Sequence, residues 1–486
     1  MSNLSELLPS GGGQNLVEFV ASGTLPNGKP VILNSDGTVE VVAETTTSIP
    51  AGTGSEYAFS SSSSFIYESS VAMLSDTKAI VTYKDSNVKA CILNISGTTI
   101  TAGTPVTLTS YTSVGSAAVT VLTSDKAVVA YYEYTGSAWN AVSQVLDISG
   151  STITAGADAY FSTADSEYIS LSRLTDQKAL VAYKDGGNGN KGTTRILDVS
   201  GSTITVGTAY IFNSSSTDRI HTAALTSTSV LIVFRDNGVS NYGRTCVLSV
   251  SGTTITAGSE ITFVSHYPHY VTVGKLTSTK AIVTYKRSND SGKGGSCILD
   301  VSGTTVTAGS EHIFTTVSTS FSVVSVISPT KALVAYQNSS SGDYGTYCIL
   351  NISGSTITSE TPIVFNSGAT TYIGSATGDS LLTTVAYRDD GNSSYGTAIA
   401  IQQAVTITTT NLTTANLIGI TSEATSSGGT AKINTWGGIN EAQTSLTIAS
   451  DYYAQGDGTI TTVSTSPAQK LGTAISTTTI NIRDLP

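Results

Sequence analysis

The chain is poor in charge and in long apolar runs. Charged residues make up only 12% of its 486 residues, about half the share of roughly a quarter that is usual in globular proteins. The formal net charge is −11, so the basic footprint that nucleic acids and anionic membranes require is missing. No stretch approaches the roughly 18 apolar residues of a membrane-spanning helix. We therefore expect neither a nucleic-acid partner nor membrane insertion.

Signals for export and for catalysis are also missing. The opening MSNLSELLPSGGG has no basic segment followed by an apolar run, so we expect no secretory signal. We find no G-x-S-x-G elbow, P-loop, C-x-x-C pair or EF-hand spacing. No Asp box, a repeat that often accompanies the paired carboxylates of some glycosidases, appears either. These absences predict a protein that is not an enzyme and holds no cofactor.

Metal binding and disulfides are equally unsupported. His266 and His269 could share a metal ion, but no third ligand follows them. The phrases DDGN at 389–392 and KDGGNGN at 184–190 resemble calcium loops only in composition, and we interpret them as turns. Each of the four cysteines precedes an apolar pair in a different repeat. We expect them to be buried, unpaired and far apart: Cys91, Cys246, Cys297 and Cys348.

What the chain has instead is a repeat rich in Ser, Thr, Gly, Val and Ile. The phrase ILDVSGSTITVGTAYIF at 196–212 is one of six similar copies, in which the Gly of the Ser-Gly pair lies at 97, 150, 201, 252, 303 and 354. An alternating run of the type KAIVTYKD, first seen at Lys78, occurs seven times. A short strand closing on Phe or Leu ends each phrase, and one more copy, closing on Phe59, stands alone before the first repeat.

This arrangement predicts a β-propeller. Each repeat of about 51 residues supplies four short strands, and repeats of this length form propeller blades. The lone strand at Phe59 would complete the last blade and leave no open sheet edge. We therefore predict a seven-bladed β-propeller over residues 51–404, closed by its N-terminal strand. A solenoid is the alternative, but it does not explain the displaced first strand.

The loops of such a propeller fall into two sets. On one face they are monotonous, reading TSTS or TSTK between the first and second strands and SGTT or SGST between the third and fourth. On the other face they vary and carry aromatic, amide and charged residues, as in YEYTGSAWN and VSHYPHY. Such residues on a rigid scaffold are typical of recognition, although unconstrained drift is the alternative. The candidate ligand-binding residues are Tyr134, Trp139, Tyr168, Arg235, Tyr242, His266, Tyr267, Tyr344 and Tyr395.

The two ends, 1–50 and 405–486, lack the repeat. NSDGTVEVV near the start and QGDGTITTV near the end indicate one kind of hairpin used twice. A propeller inserted between two halves of one domain would explain this, because its own termini must meet. We therefore predict a small β-sandwich-like base formed by the N-terminal segment 1–50 and the C-terminal segment 405–486.

These ends also carry a resemblance. NLSELLPSGGGQNLVEFVASGTLPNGKPVILNSDGTVEVV resembles the opening of virion structural and tail-fibre-like proteins of marine tailed phages of the cyanophage type. NLIGITSEATSSGGTAKINTWGGINEAQTSLTIASDYYAQGDGTITT resembles the small β-domain that closes many of them. The resemblance covers only the ends and brings no catalytic residue. It implies a virion component, assembled in the host cytoplasm, whose ends anchor it in the particle.

Together these observations lead to a first hypothesis and to alternatives. The first is a phage virion surface protein, a tail-fibre or appendage subunit whose propeller binds a host glycan or envelope protein. Its partners would be other virion proteins, and we expect a homo-oligomer in the particle. The second is a head decoration or adaptor protein with a purely structural role. A bacterial lectin-like propeller is a third hypothesis, and a glycan hydrolase is the hypothesis with the least support.

Overall fold

The structure is a computed structural model that describes residues 15–60 and 67–483. The opening phrase and part of the loop before the first repeat, predicted above to be variable, lie outside these residues. Apart from one turn of 3₁₀ helix at Gly186–Asn188, the regular secondary structure of the described residues is all strand. The chain divides into two compact units. The central unit is Pro50–Ala404, and the terminal unit joins the residues up to Ile49 to those from Val405 onward.

The central unit consists of antiparallel meanders, and seven of them lie within the described residues. In each, the first strand pairs with the second and the second with the third. The first strands are Tyr67–Ser75, Val114–Thr123, Ser166–Thr175, the latter part of Tyr210–Thr226, Pro268–Thr277, the latter part of His312–Ser328, and the latter part of Ile363–Thr377. The second strands are Lys78–Asp85, Lys126–Tyr134, Lys178–Asp185, Ser229–Asp236, Lys280–Arg287, Lys331–Asn338 and Leu382–Asp389.

The third strands carry a fourth strand in two short segments. The third strands are Asn87–Ser96, Trp139–Ser149, Lys191–Ser200, Tyr242–Ser251, Lys293–Ser302, Tyr344–Ser353 and Tyr395–Gln402. The first segments of the fourth strands are Thr99–Ala102, Thr152–Ala155, Thr203–Val206, Thr254–Ala257, Thr305–Ala308, Thr356–Ser359 and, for the seventh repeat, Gly52–Thr53. The second segments are Val106–Thr107, Ala159–Ser162, Ile261–Val264, Tyr57–Ser60 and the opening parts of Tyr210–Thr226, His312–Ser328 and Ile363–Thr377.

The sequence explains these strands directly. The middle residues of second strands such as KALVAYKD are all buried, so these strands are continuous apolar runs and not the alternating runs predicted from the sequence. The Ser-Gly pair forms the turn between third and fourth strands, and its glycine has a positive φ, for example +58° at Gly97 and +63° at Gly252. That conformation favours glycine because it has no Cβ to clash.

A repeated aromatic contact joins the repeats at six places, and between the first and second repeats Leu108 stands in place of the Phe. The Phe that ends a fourth strand packs against the Tyr or Phe of the following second strand, as in Phe314 on Tyr336 at 5.8 Å between ring centroids. Beneath that Phe lies a glycine of the third strand. A Cβ on Gly294 would come within 2.3 Å of the Phe314 ring. We call these contacts the interlock. Its other ring pairs are Phe59–Tyr83, Phe161–Tyr183, Phe212–Phe234, Phe263–Tyr285 and Phe365–Tyr387.

The first and last repeats of the central unit also contact each other. The segments Gly52–Thr53 and Tyr57–Ser60 pair with Tyr395–Gln402 of the seventh repeat. Phe59 then packs on Tyr83 of the first repeat, with 5.2 Å between the ring centroids. The first strands of these repeats approach closely, since a Cβ on Gly374 would lie 2.6 Å from the Ser69 carbonyl oxygen. The central unit therefore has a β-propeller-like, all-β architecture.

The four cysteines occupy the core of the central unit. All four are free and buried, which confirms the sequence-based expectation. Burial raises the pKa of each thiol to about 12, so the thiols stay protonated and unreactive at neutral pH.

The terminal unit takes strands from both ends of the chain. One sheet runs in the order Leu16–Val20, Thr430–Asn434, Leu417–Thr421, Pro30–Leu33, Val39–Val41. A second runs Ile439–Asn440, Ile480–Ile482, Ala468–Ala474, Asp451–Gln455, Ile460–Thr461, and Glu44–Ile49 pairs with Val405–Thr410. One apolar cluster contains residues of both five-stranded sheets, including Ile32, Leu417 and Leu471.

The two Asp-Gly hairpins of the terminal unit have the same construction. Asp36 accepts hydrogen bonds from the backbone N–H and the hydroxyl of Thr38, at 3.0 and 2.7 Å. Asp457 accepts the same pair from Thr459, at 2.8 and 2.6 Å. These bonds hold the pKa of both carboxyl groups below the usual value. In the described part of the chain, no helix is long and apolar enough to cross a membrane.

Candidate functional site

The first strands of all seven repeats surround one cavity of about 460 Å³. Most of its wall is built from small or apolar side chains, among them Ser70, Ala118, Ser170, Val323 and Gly374. Because the wall offers little charge, the ionisable groups near its mouth decide what the cavity can hold.

Each first strand is irregular at the same place near its start. In the third repeat, Glu167 pairs with Lys184 but the next regular pair is Ser170 with Ala182, so a bulge lies between them. The same shift occurs in the other six repeats. The bulge faces the end of the second strand, so it lies on the side of the variable loops. Bulges of this kind re-aim a side chain and occur often at the rims of barrels and next to binding sites.

Five bulge residues line the mouth of the cavity with large side chains. They stand 51 positions apart and all have φ near +50°: Tyr168, Arg219, Tyr270, Phe321 and Tyr372. We call these five residues the collar. The first and second repeats have Glu68 and Ser116 at the corresponding positions.

Collar side chains contact one another in sequence. The Arg219 guanidinium lies 5.1 Å from the centre of the Tyr168 ring and 5.6 Å from that of Tyr270. Tyr270 packs on Phe321 at 5.0 Å, and Phe321 on Tyr372 at 4.9 Å. The result is a continuous surface of aromatic faces with one cation held between two of them.

The collar conformation is costly. A positive φ in a non-glycine residue costs on the order of 1–3 kcal/mol. Glycine would relieve this strain, yet the chain places an aromatic or cationic residue at all five positions. Such strain persists at sites where a side chain must point in a particular direction, which marks the collar as the strongest candidate site.

Basic side chains from the ends of the second strands surround the collar. Most are neutralised by a carboxylate of their own. Lys184 bonds Glu167 at 2.7 Å, and the buried Arg235 pairs with Asp218. The pairs Arg388–Asp390 and Lys184–Glu167 also lie near collar rings, because the two cations stand about 6 Å from Tyr372 and Tyr168 respectively.

Two cations at the collar lack such a carboxylate among the described residues. Arg219 forms no ion pair there, and its buried Nε has no hydrogen-bond partner. Lys286 donates to the Ser320 hydroxyl at 3.2 Å, and burial lowers its pKa. The mouth of the cavity is therefore electropositive although the whole chain is acidic.

Two histidines near the collar have lowered pKa values. Burial, reinforced by Arg219 and Arg235, lowers the pKa of His269 to about 4. Arg235 lies 3.3 Å from His269 Nε2, and a guanidinium can only donate, so the neutral ring carries its proton on Nδ1. Burial also lowers the pKa of the cavity-lining His221 to about 4. Its Nδ1 accepts from the Val273 N–H at 3.3 Å.

Three of the nine candidate residues lie at or near the collar. Tyr168 is a collar member. Arg235 is not a free surface residue: it is buried against Asp218 and stacks on Tyr267 at 4.1 Å. Tyr267 also packs on His269 at 4.6 Å. Arg235 and Tyr267 therefore support the electropositive edge of the collar rather than forming its surface.

The other six candidates lie in separate places. His266 forms a hydrogen bond with Glu311 at 2.9 Å, and Arg287 lies 3.0 Å from the same carboxylate. Burial raises the pKa of Glu311, but the hydrogen bonds with His266 and Tyr285 outweigh it, so the pKa is lowered and the group stays ionised. Trp139 packs between Tyr132 and Tyr134. The last three occupy the first position of the third strand in different repeats: Tyr242, Tyr344 and Tyr395.

Sequence reasoning missed most of the collar. It treated the start of the first strand as loop and looked for unusual residues one by one. The missed residues were nevertheless visible as a series at 51-residue steps through Tyr168. They are Arg219, Tyr270, Phe321 and Tyr372.

The phrases that resemble calcium loops are turns. Asp185 accepts from the Gly187 N–H at 3.1 Å, and Asp389 accepts from the Gly391 N–H at 3.1 Å. Both carboxylates are thus used to close their own loops. No group of three or more His, Cys, Asp or Glu side chains within the described ranges could hold a metal ion.

Comparison with known proteins gives only distant structural likenesses. No protein family and no curated protein sequence matches the chain. A Dyadobacter fermentans protein of unknown function is 12% identical, with a TM-score of 0.41 over 66% of this chain and 98% of its own. AofleA from Arthrobotrys oligospora is 9% identical, with a TM-score of 0.42 over 70% and 95%. The NanB sialidase of Streptococcus pneumoniae is 10% identical, with a TM-score of 0.42 over 73% and 71%. At these TM-scores the likenesses carry no argument about ligand or activity.

Proposed function

We propose that the central unit is a seven-bladed β-propeller whose ring is closed by the N-terminal strand. Two observations support this. The interlock contact recurs between successive repeats and also joins the last repeat to the first through Phe59 and Tyr83. The strand Tyr57–Ser60 takes the fourth-strand position beside Tyr395–Gln402, so the seventh blade gains the strand that its own sequence lacks.

We further propose that this propeller is a recognition head that binds carbohydrate at the collar. The observation that carries the proposal is the set of five strained collar residues, which bring four aromatic rings and one guanidinium to the mouth of one cavity. The C–H faces of a sugar ring are apolar and pack on aromatic rings, while its hydroxyls need the polar neighbours that the rim supplies.

The setting that we propose for this head is a phage virion. The chain would be a tail-fibre or appendage subunit, with the terminal unit as particle anchor. This part rests on the resemblance of the terminal segments alone. The exposed Trp436, Ile448 and Val463 of the terminal unit suit a surface that docks on other proteins, since each is more than half exposed.

The test is binding of the labelled full chain to intact candidate host cells and to a glycan array. We expect saturable binding that Tyr270→Ala weakens at least about tenfold, because a buried aromatic contact of this kind contributes about 1.4 kcal/mol or more. Tyr160→Ala is the matched control, since Tyr160 is 50% exposed on a fourth strand that pairs with a third strand and does not line the cavity.

Each result separates the alternatives. Binding that depends on Tyr270 but not on Tyr160 supports a recognition head. No binding by the folded chain to cells or glycans contradicts it, and binding only to assembled virus particles would favour the decoration or adaptor role instead.

A further inference from the structure

The charges at the mouth of the cavity do not balance. Three of the cations around the collar, Lys184, Arg235 and Arg388, are each paired with a carboxylate. Arg219 and Lys286 have no carboxylate partner in the part of the chain that the structure describes. Unpaired, half-buried cations are costly without a counter-charge, so the site is arranged for an anion that the described residues do not supply.

Arg219 is also held in a specific orientation. Its guanidinium is stacked between the rings of Tyr168 and Tyr270, and its positive φ of +52° directs it to the mouth of the cavity. A stacked guanidinium keeps its N–H edge free for a planar, two-pronged hydrogen bond to an acidic group.

We propose that the collar binds a sugar unit that carries a single acidic group, with Arg219 as the residue that recognises the acid. This inference rests on the proposed carbohydrate-binding function and adds the chemical class of the ligand. The sugar ring packs on Tyr270 and Phe321, and its carboxylate or sulfate accepts hydrogen bonds from Arg219. Lys286 adds a second, weaker attraction from the side.

The small number of free charges argues against a polyanion. Single-stranded nucleic acid is bound by a groove in which several cations follow the backbone. Among the described residues the mouth offers only two cations without a carboxylate partner, Arg219 and Lys286. One guanidinium and one ammonium suit one acidic group and not a chain of phosphates.

The experiment uses the full chain and a glycan array that contains neutral, carboxylated and sulfated sugars. Wild type, Arg219→Gln and Arg219→Lys are compared, and each glycan that binds is remeasured after chemical reduction of its carboxyl groups. Arg173→Gln is the matched control, because Arg173 lies at the other end of the same first strand as Tyr168 and pairs with Asp176. Thermal unfolding confirms that each variant is folded.

We expect wild type to prefer acidic glycans and Arg219→Gln to lose at least about tenfold in affinity, as for loss of a charge-assisted hydrogen bond. Arg219→Lys should recover only part of the loss, and Arg173→Gln should bind like wild type. Carboxyl reduction abolishes binding if the acid is a carboxylate and leaves it unchanged if the acid is a sulfate.

Three outcomes would overturn the proposal. Equal binding of neutral glycans by wild type and Arg219→Gln would refute the role of the acid but leave carbohydrate recognition intact. Absence of all glycan binding would remove the proposed function and this inference together. Saturable binding of a single-stranded oligonucleotide in place of glycans would show that the free charges serve a nucleic acid.

Discussion

The interlock and the collar are two series of residues with the same spacing and opposite behaviour. Interlock positions vary little: six of the seven carry a Phe, and four of these rings have a glycine of the third strand beneath them. Collar positions carry Glu68, Ser116, Tyr168 and then four further residues of three kinds: Arg219, Tyr270, Phe321 and Tyr372. The five collar residues from Tyr168 to Tyr372 nevertheless share one backbone conformation, with φ between +49° and +52°. The repeat thus keeps its geometry at both places and changes its chemistry at only one.

We infer that the interlock serves stability and the collar serves binding. The interlock removes large rings from water between repeats, and the burial of aromatic surface is a main source of stability. The collar keeps a strained backbone and partly exposed rings, which add little stability. Sites of that kind are where function opposes stability. The predictions below test whether the two series differ in this way.

The largest effect should come from the interlock. Phe314→Ala removes a ring that packs on Tyr336 and covers Gly294, so the free energy of unfolding should fall by about 3–5 kcal/mol. Phe321→Ala in the collar should cost about half as much or less, because its ring is only partly buried. Urea unfolding followed by fluorescence measures both. Equal losses would mean that the collar is ordinary core.

A second interlock variant tests the closure of the ring. Phe59 makes the contact between the first and last repeats, and in a closed ring this contact is equivalent to the others. Phe59→Ala should therefore destabilise the chain within about 1 kcal/mol of Phe314→Ala. A much smaller loss in the same unfolding assay would indicate that the N-terminal strand does not hold the repeats together.

Glycine and alanine variants should have the opposite order of stability at the collar from the order found in an ordinary strand. Alanine at a positive φ is disfavoured by roughly 1–2 kcal/mol, whereas glycine in a regular strand costs roughly 0.5–1 kcal/mol relative to alanine. Phe321→Gly should thus be more stable than Phe321→Ala. Val323, two residues further along the same strand, provides the control, where alanine should be the more stable substitution. The same order at both positions would rule out strain at the collar.

The smallest effect concerns pH. The pKa of His221 is lowered to about 4 by burial, below the value of about 6.5 for a free side chain. The unfolded chain therefore takes up this proton first, and stability is lost as pH falls from about 6.5 to 4. The difference in Tm between wild type and His221→Gln should shrink over this range. Parallel Tm curves from pH 7.5 to 4.5 would show that His221 is not buried as described.

Much of the fold could be predicted because the residues that determine it recur at regular spacing in the sequence. The Ser-Gly turns, the positions of the second strands and the lone strand at Phe59 follow from the spacing of the repeat. The burial of both faces of the second strands does not, because these strands were interpreted as alternating runs. The hairpins at Asp36 and Asp457 follow from their matching Asp-Gly phrases. The buried, unpaired state of the cysteines follows from their place before an apolar pair in separate repeats.

The site was harder to predict because its signal lies in backbone conformation. A bulge with positive φ at a tyrosine or phenylalanine has no sequence preference that would reveal it, since such residues rarely adopt it. Loop composition therefore drew attention to Trp139, Tyr344 and Tyr395, which begin third strands and do not line the cavity. The buried ion pair of Arg235 with Asp218 could not be predicted either. The two residues become neighbours only through the register in which their strands pair.

The most direct test of the account is a crystal structure of the full chain in complex with the sugar that the glycan array selects. We predict that the sugar packs on Tyr270 and Phe321 at the mouth of the cavity, with its acidic group hydrogen-bonded to Arg219. A sugar bound instead at the outer tyrosines Tyr242, Tyr344 or Tyr395, with the collar unoccupied, would contradict the account.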